Sequence, residues 1–394
     1  MPQTPRSPLV LVAPLSWGLG HATRCIPLIH TLQRLGCEVM TASDGATRSL
    51  LVEEFPLLTH LSSPHTTIRY SRYKWLFGGA MLLLLPRFWL QVKREKQWIR
   101  TVADRYRFDA IISDNRYGLA HPNIPSVIIT HQLAIRTGWG QLADRWLQRI
   151  LYRYIDRYQQ VWVPDISQEP SLAGALSHPV QLPSIPVQYL GILNRLSMPI
   201  TDATPYNSTL LVLLSGPEPQ RSLLEKMILN QAVSYNGKLI VVRGLPTSLH
   251  GGATVTKAES TRPDPYESLA LLYGISHVTI FDHLSAAQLQ ALLPSIGYII
   301  CRSGYTTLME MIPLRKKLLL IPTPGQPEQT YLAAYAQQQQ YAPQFLQAGF
   351  SIQQALDIGH TYPYRFPDQF NESPLSTIVS NWVRPLQNSQ EVYP

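Results

Sequence analysis

A glycine loop followed by a histidine is the first stretch of the chain whose residue types suggest chemistry. Gly18, Gly20 and His21 stand between an apolar run and a segment, 22–35, with helical periodicity. Glycine lets a backbone approach a ligand closely, and a helix N-terminus favours the neutral form of an imidazole. His21 is therefore our first candidate for a general base. The alternative is that His21 only caps its own helix.

Polar residues also follow two later apolar runs of the first half. Asp114 and Asn115 come after the first run, and His131 and Gln132 come after the second. Because the carboxyl ends of parallel strands meet at one edge of a sheet, we expect these residues on the same rim as His21. Asp114 is the second candidate for the base. Asp and Asn also form ordinary turns, which is the alternative for this position.

In the second half, the stretch 300–311, I-C-R-S-G-Y-T-T-L-M-E-M, is the most informative. An apolar strand ends at Ser303-Gly304, and a short helix that carries Glu310 follows. Such a turn directs backbone N–H groups beyond the sheet edge, where anions bind. A carboxylate at Glu310 can accept hydrogen bonds from two ribose hydroxyls. The alternative is an ordinary strand–helix unit without a ligand.

Two further connections in the second half combine small residues with polar ones. Ser215 and Gly216 join a strand to a helix, and Arg221 lies in the first turns of that helix, which predicts a seat for a diphosphate. Gln326 and Gln329 straddle the start of a later helix. A side-chain amide both donates and accepts, so these two residues are candidates for contacts with sugar hydroxyls.

The elements that carry these residues alternate between strand and helix, and the alternation runs twice. This pattern predicts an α/β protein made of two Rossmann-like, doubly wound domains whose ligand-binding edges face a common cleft. The segment 191–206 contains Pro199 and Pro205 and lacks periodicity, which indicates a linker. The predicted domains are 1–195, 206–360 and a C-terminal tail, 361–394, that can pack back on the first domain.

Composition narrows the class of partner. The 394 residues carry a formal net charge of +8, with 45% hydrophobic and 15% charged residues. No run of Lys and Arg is interleaved with aromatic residues, so nucleic acid is not an expected partner. The three cysteines lack the spacing of a metal site, and no D-x-D motif ends a strand, so no metal is expected. No signal peptide is apparent, which predicts a cytoplasmic protein.

The segment from Trp75 to Lys96 is the most apolar part of the chain. Its uncharged run of 12 residues, 75–86, is shorter than the roughly 20 residues that span a bilayer. Aromatic residues flank this run, and seven Lys and Arg residues surround it between 69 and 96. These features favour a segment that lies in the interface of an anionic membrane, and hence peripheral attachment to the inner face of the cytoplasmic membrane. A buried helix is the alternative.

The motifs of the second half resemble those of the family-28 glycosyltransferases, the MurG-like enzymes of GT-B architecture. The resemblance rests on Cys301-Arg302-Ser303-Gly304, on Thr307 and Glu310, and on Pro322, Gln329, Tyr331 and Ala334. The loop around His21 and the strand end at His131 also resemble the first half of that family. The resemblance implies a hexosyltransferase that takes a UDP-sugar as co-substrate, without a further cofactor, and a lipid-linked or other hydrophobic acceptor.

The resemblance also implies roles for individual residues. Glu310 would bind the ribose, Gln329 the sugar, and His21 would lie near the reacting centre. The residues implied at the diphosphate are Ser215, Gly216, Arg221, Ser303 and Gly304, and those beside the uracil are Phe281 and Asp282. The residues on the acceptor side are Gly18, Gly20, Asn115, His131 and Gln132. We expect an inverting, metal-independent transfer of an N-acetylhexosamine or hexose, with backbone N–H groups and Arg221 stabilising the leaving UDP.

Two other classes of function share this architecture. A UDP-sugar 2-epimerase would need acid and base carboxylates around the sugar and has no use for the segment 75–96. A non-catalytic protein that binds nucleotide-sugars or lipids would not need to keep Ser303, Gly304, Glu310 and Gln329. Both alternatives stay open at the level of sequence.

Overall fold

The computed structural model of the protein describes residues 6–16, 18–64, 77–137, 140–196, 209–245 and 277–388, with backbone alone for 77–85. The chain folds as two compact units. The first contains the described residues up to 195 together with 368–388, and the second contains those from 196 to 367. Each unit is an α/β structure with its own sheet.

The sheet of the first unit has seven strands in the order β3-β2-β1-β4-β5-β6-β7, and all neighbouring strands are parallel. The central strand is buried along its whole length, as its unbroken apolar sequence predicts. The strands are β1 (Leu9–Pro14), β2 (Glu38–Ser43), β3 (Thr59–Ser62), β4 (Ala110–Asp114), β5 (Ser126–Ile129), β6 (Gln160–Val163) and β7 (Val187–Tyr189).

Helices connect these strands and cover the sheet. The first helix begins after Gly18, whose φ of +151° is accessible to glycine but rarely to other residues, and it ends before Gly36. The helices of the first half are α1 (Leu19–Arg34), α2 (Gly45–Glu54), α3 (Phe77–Tyr106) and α4 (Gln141–Ile155).

The second unit has a five-stranded parallel sheet in the order β10-β9-β8-β11-β12. Its strands are β8 (Thr209–Leu213), β9 (Leu239–Val242), β10 (Val278–Phe281), β11 (Ile296–Cys301) and β12 (Lys317–Leu320). Its helices are α5 (Gln220–Ala232), α6 (Ala286–Leu292), α7 (Tyr305–Met311), α8 (Pro327–Gln338) and α9 (Ile352–Thr361). An apolar core fills the space between this sheet and helices α5 and α9.

The last helix of the chain, α10 (Leu375–Asn388), belongs to the first unit. The ring of Trp382 meets that of Trp162 edge to face at a centroid distance of 5.1 Å, and Gln387 donates a hydrogen bond to the carbonyl of Leu35. The segment 361–394 is thus divided, because its residues before 368 stay with the second unit. Most of the predicted linker, 191–206, lies outside the described residues.

Both sheets reverse their strand order beside their first strand. In the first unit β1 lies between β2 and β4, and in the second unit β8 lies between β9 and β11. The connections on the two sides of the reversal leave the carboxyl edge of the sheet in different directions. This opens a crevice between them, where ligands bind in doubly wound sheets. The connections after β1 and β4, and those after β8 and β11, carry most of the predicted site residues.

One local expectation differs from the structure. Helix α1 begins at Leu19 and not at residue 22, so Gly20 and His21 lie inside its first turn. Helix α3 spans 30 residues and includes residues 77–86 of the apolar run 75–86, while residues 75 and 76 and the side chains of 77–85 lie outside the described part of the structure. Sequence periodicity fixes a helix poorly at its ends, since the first turn lacks half of its hydrogen bonds.

Candidate active site

His21 lies against the carboxylate of Asp114 at the crevice of the first unit. Asp114 is the last residue of β4 and is fully buried, whereas the His21 side chain keeps 18% of its surface exposed. The Nδ1 atom of His21 is 3.2 Å from Oδ2 of Asp114. A carboxylate beside one ring nitrogen fixes the orientation of the imidazole. The predicted pair of catalytic residues is therefore in direct contact.

Arg24 completes this cluster from the next turn of α1. Its Nε donates to Oδ2 of Asp114 at 2.8 Å, and its Nη2 donates to Oδ1 of the same carboxylate. The Nη2 atom also lies 2.8 Å from Nδ1 of His21, and Nη1 lies 3.1 Å from Nδ1 of His131. Arginine can only donate and a carboxylate can only accept, so Arg24 and Asp114 favour opposite protonation states of Nδ1 in His21.

The charges of the cluster favour different roles for the two candidate bases, His21 and Asp114. Burial would raise the pKa of Asp114, but the cations of Arg24 and His21 outweigh burial and hold that pKa at about 2. Burial, and then the positive charge of Arg24, lower the pKa of His21 below its ordinary value of 6.5. A permanently ionised, buried Asp114 is a weak proton acceptor at neutral pH. The geometry thus favours His21 as the base and Asp114 as the group that orients it.

The other acceptor-side residues surround this cluster. His131 is buried just beyond β5, and Gln132 is half-buried beside it, with its backbone N–H donating to Oγ1 of Thr130. Asn115 has a φ of +57°, a conformation that Asn tolerates better than most residues, and its Oδ1 accepts from the hydroxyl of Tyr117. These contacts bring the predicted residues to one edge of the sheet.

In the second unit, the loop after β11 is bonded directly to the start of α8. Oγ of Ser303 donates to the backbone carbonyl of Gln329 at 2.8 Å, and Oε1 of Gln329 accepts from the N–H of Thr323 at 2.9 Å. Both side chains are buried. Two predicted donor-binding segments that are far apart in sequence therefore form one wall of the crevice.

Arg302 is a buried cation in the same wall. Its side chain is fully buried, and within the described ranges its nitrogens donate to the backbone carbonyls of Gln220, Ile321 and Pro322. Burial lowers the pKa of Arg302 to about 10. No carboxylate among the described residues neutralises this charge. An uncompensated positive charge between the loops after β8, β11 and β12 makes this edge attractive to an anion.

Polar atoms without partners gather at this edge. Among the described residues, Nε of Arg302, Oγ1 of Thr323 and Oε1 of Gln326 are buried without a hydrogen-bond partner. Oγ1 of Thr323 faces Gly216, where a Cβ atom would lie 3.7 Å from it. Buried polar atoms normally find partners, so three such atoms at one edge make it a candidate binding surface, although Ser43 and Gln347 carry such atoms elsewhere.

Arg221, which was predicted at the diphosphate, is engaged by protein groups. Its side chain is bonded to the buried carboxylate of Glu225 and to Glu218, and Glu225 also pairs with Arg243. Arg243 in turn contacts Asp282 at 2.9 Å. A contact of Arg221 with phosphate would require one of these bonds to be exchanged. Its role at the diphosphate stays a prediction, and its observed bond to the carbonyl of Arg243 holds α5 to the end of β9.

The remaining donor-side residues lie at the same edge. Ser215 and Gly216 are exposed after β8, and Phe281 and Asp282 are half-buried at the end of β10. Gly304 has open space where a side chain would stand, and Glu310 is buried on α7. Their individual roles stay predictions. Among the described ranges, no group of three or more His, Cys, Asp or Glu side chains is arranged to hold a metal ion.

Sequence reasoning gave no role to two of the buried arginines, Arg24 and Arg302. Arg24 follows His21 by three residues, and this spacing puts both on one face of a helix. Arg302 was quoted within a motif without a role. Its burial depends on three loops that meet only in the folded sheet, so no local pattern signals it.

Comparison with known proteins agrees with this geometry. Residues 257–357 match the sequence model of the glycosyltransferase family 28 C-terminal domain. No curated protein sequence matches the chain significantly. Several solved structures share its fold along nearly the whole length, with low sequence identity.

Three of these structures illustrate the range. The glycosyltransferase SnogD from Streptomyces nogalater is 15% identical, with a TM-score of 0.62 over 97% of this chain and 100% of that one. Arabidopsis thaliana UGT89C1, complexed with UDP-L-rhamnose, is 12% identical, with a TM-score of 0.58 over 96% and 94% of the two chains. MurG from Acinetobacter baumannii is 15% identical, with a TM-score of 0.53 over 96% and 100%.

The two parallel sheets and their similarity to these structures define a GT-B protein, which confirms the predicted fold class. Residues 257–357, within its second unit, are similar to the family-28 C-terminal domain, which confirms the resemblance seen in residues 301–334. The protein is a glycosyltransferase.

Proposed function

We propose that the protein transfers a hexose or N-acetylhexosamine from a UDP-sugar to a lipid-linked or other hydrophobic acceptor, with inversion and without a metal ion. One observation carries this proposal. Within the segment that matches family 28, Ser303 contacts Gln329 directly, beside the uncompensated charge of Arg302. This combination suits a ligand with hydroxyls at one end and a diphosphate at the other.

The first unit supplies the proton chemistry of the proposal. The acceptor hydroxyl attacks the anomeric carbon while its proton passes to Nε2 of His21, and the bond between the sugar and UDP breaks. This role requires a proton on Nδ1 that is donated to Asp114, so that Nε2 keeps a free lone pair. The developing charge on UDP is stabilised by backbone N–H groups and by the field of Arg302 in the second unit.

A UDP-sugar donor is supported by the family match and by the UDP-L-rhamnose in one of the related structures. Glu310 is the residue proposed to bind the ribose. It is buried on α7, two residues beyond Leu308, in the helix that follows the Ser303-Gly304 turn. A carboxylate held there by the helix can accept both ribose hydroxyls without a large loss of side-chain entropy.

The acceptor proposal rests on the outer surfaces of two helices of the first unit. Helix α3 exposes Trp89 and Leu90 among Arg87, Lys93 and Arg94. No helix within the described ranges is long and apolar enough to cross a bilayer. Exposed aromatic and aliphatic side chains among cations are typical of a segment that rests on an anionic membrane. We therefore propose peripheral attachment to the inner face of the cytoplasmic membrane.

Helix α4 extends this surface. It exposes Leu142 and Trp146, and it carries exposed arginines at a spacing of four residues: Arg145, Arg149 and Arg153 within the helix and Arg157 just beyond it. Like charges at this spacing destabilise a helix slightly, so the row favours an anionic partner. Phe88 of α3 meets Tyr154 of α4 edge to face at 5.5 Å, which makes the two helices neighbours.

The experiment incubates the purified full-length protein with a panel of UDP-hexoses and UDP-N-acetylhexosamines, with and without bacterial lipid extract. We expect lipid-dependent release of UDP and a lipid product heavier by one sugar in mass spectrometry. Interconversion of UDP-sugars without release of UDP would instead identify an epimerase. Binding of UDP-sugars without any turnover in the presence of lipid would identify a non-catalytic protein.

A further inference from the structure

Arg24 is the residue of the first-unit cluster that the transfer chemistry does not explain. Its side chain keeps only 2% of its surface exposed and donates to both oxygens of Asp114, and its Nη2 and Nη1 atoms lie 2.8 and 3.1 Å from the Nδ1 atoms of His21 and His131. Burying a guanidinium costs several kcal/mol unless it is paired closely. The transfer of a proton from the acceptor hydroxyl to Nε2 of His21 assigns no part to Arg24.

The consequence of removing Arg24 follows from the remaining charges. Asp114 has no exposure and would keep a negative charge with only His21 beside it. A buried carboxylate next to an imidazole favours the imidazolium form, because the ion pair then neutralises the buried charge. An imidazolium has no lone pair and cannot accept the proton of an acceptor hydroxyl.

We propose that Arg24 is a positioning residue for the transfer reaction: it neutralises Asp114 through a two-point ion pair, so that His21 is oriented by the carboxylate yet stays neutral and able to accept a proton. The proposal rests on the proposed function of His21 as the base. Arg24 itself touches neither substrate nor the reacting atoms.

The other groups that face His21 do not alter the pairing of Arg24 with Asp114. On α1 these are Arg24 and Cys25, whose thiol lies 3.7 Å from Oδ2 of Asp114 and whose pKa is raised by burial. From the strand ends the facing groups are Asp114 itself and His131. Arg24 and Asp114 thus form one closed pair of charges. Protonating His21 adds a net positive charge to a buried cluster, which agrees with the lowered pKa of His21.

The test compares Arg24→Met with wild type by two measurements. The first is the titration of His21 by NMR of ¹⁵N-labelled protein, with the resonance assigned through His21→Gln, and it needs no substrate. The second is the acid limb of the pH profile of kcat/KM. We expect both to move to higher pH in Arg24→Met, with about tenfold lower kcat/KM on the acid side for each unit of movement and a plateau at alkaline pH within about threefold of wild type.

Matched variants distinguish the effect of the charge of Arg24 from the effect of its packing. Arg34→Met removes an exposed arginine from the last turn of the same helix and should change neither measurement. Arg24→Lys keeps a cation beside Asp114 and should restore most of the acid limb. In Arg24→Met with Asp114→Asn, the buried carboxylate beside His21 is also removed, and His21 should titrate at low pH again. This double variant also keeps the test open if the single variant does not fold.

Unchanged titration of His21 and an unchanged acid limb in folded Arg24→Met would overturn the proposal. So would a titration of His21 in the double variant that stays as high as in Arg24→Met. Failure of the proposed function has a different signature. In that case wild type transfers no sugar at any pH, while the titration of His21 still decides the role of Arg24.

Discussion

The two crevices of the protein use buried charge in opposite ways. In the first unit, Arg24 is matched by Asp114, and the group left to change its protonation is the partly exposed His21. In the second unit, the arginines and carboxylates around Glu225 neutralise one another, while the partners of Arg302 among the described residues are backbone carbonyls. The first arrangement keeps a neutral group available near neutral pH. The second keeps a permanent positive charge.

This difference teaches how one fold serves two tasks at equivalent places. Both sites lie where the strand order reverses, so topology alone does not distinguish them. The distinction comes from which buried charges are paired. A titratable group beside a neutralised pair suits proton transfer, whereas a fixed uncompensated cation suits the binding of an anion. The following predictions test this division.

The largest expected effect is on turnover, from the first unit. His21→Ala should lower kcat by roughly 10²–10⁴-fold, because a positioned base contributes about that much, and it should leave UDP affinity unchanged. Steady-state kinetics and calorimetry with UDP measure the two quantities. His30→Ala, at an exposed position of the same helix, is the control. Near-normal turnover in His21→Ala would assign His21 to the helix cap and return Asp114 as the candidate base.

The next effect is on stability, from the neutralised network of the second unit. Glu225→Leu leaves Arg221 and Arg243 without their shared buried carboxylate, and it should lower the free energy of unfolding by about 3–5 kcal/mol. Glu218→Gln removes the 54%-exposed partner of the same Arg221 and should cost less than about 1 kcal/mol. The free energy of unfolding is measured by urea denaturation. Equal losses in the two variants would mean that burial does not decide the strength of these ion pairs.

A smaller effect is expected on donor binding. Glu310→Ala should weaken UDP binding by about 1.5–3 kcal/mol, the scale of hydrogen bonds to a charged group, and the pH profile of turnover should keep its shape. Calorimetry with UDP measures the affinity, and Asp357→Ala on α9 controls for the loss of a carboxylate in the same unit. If the folded Glu310 variant binds UDP as wild type does, the ribose assignment is wrong.

The smallest effects per residue belong to the membrane surface. Each exposed cation near an anionic bilayer contributes on the order of 1 kcal/mol, so replacing Arg145, Arg149 and Arg153 with Glu should reduce sedimentation with phosphatidylglycerol vesicles. Replacing Trp89 and Leu90 with Ser should have a similar effect. Turnover of a short water-soluble acceptor should survive both sets of changes. Wild-type sedimentation by both variants would show that these helices do not contact the membrane.

Much of this protein was determined by the sequence alone. The alternation of apolar runs with helical periodicity predicted two doubly wound units, because buried parallel strands must be apolar on both faces. The motifs that begin in the stretch 300–311 predicted the similarity of residues 257–357 to the family-28 C-terminal domain. The rule that strand ends share an edge predicted that His21 and Asp114 lie on the same rim, and the structure adds that Nδ1 of His21 is 3.2 Å from Oδ2 of Asp114.

Only the tertiary structure decided which charges are paired. Arg24, Asp114 and His131 come from three separate segments, and Arg302 receives carbonyl partners from the start of α5 and from the residue after β12. Arg221 carries the same charge as Arg302, yet within the described part of the chain carboxylates pair with the first and none pairs with the second. A charge acts according to its burial and its neighbours within a few ångströms, and sequence spacing does not specify neighbours that come from distant loops.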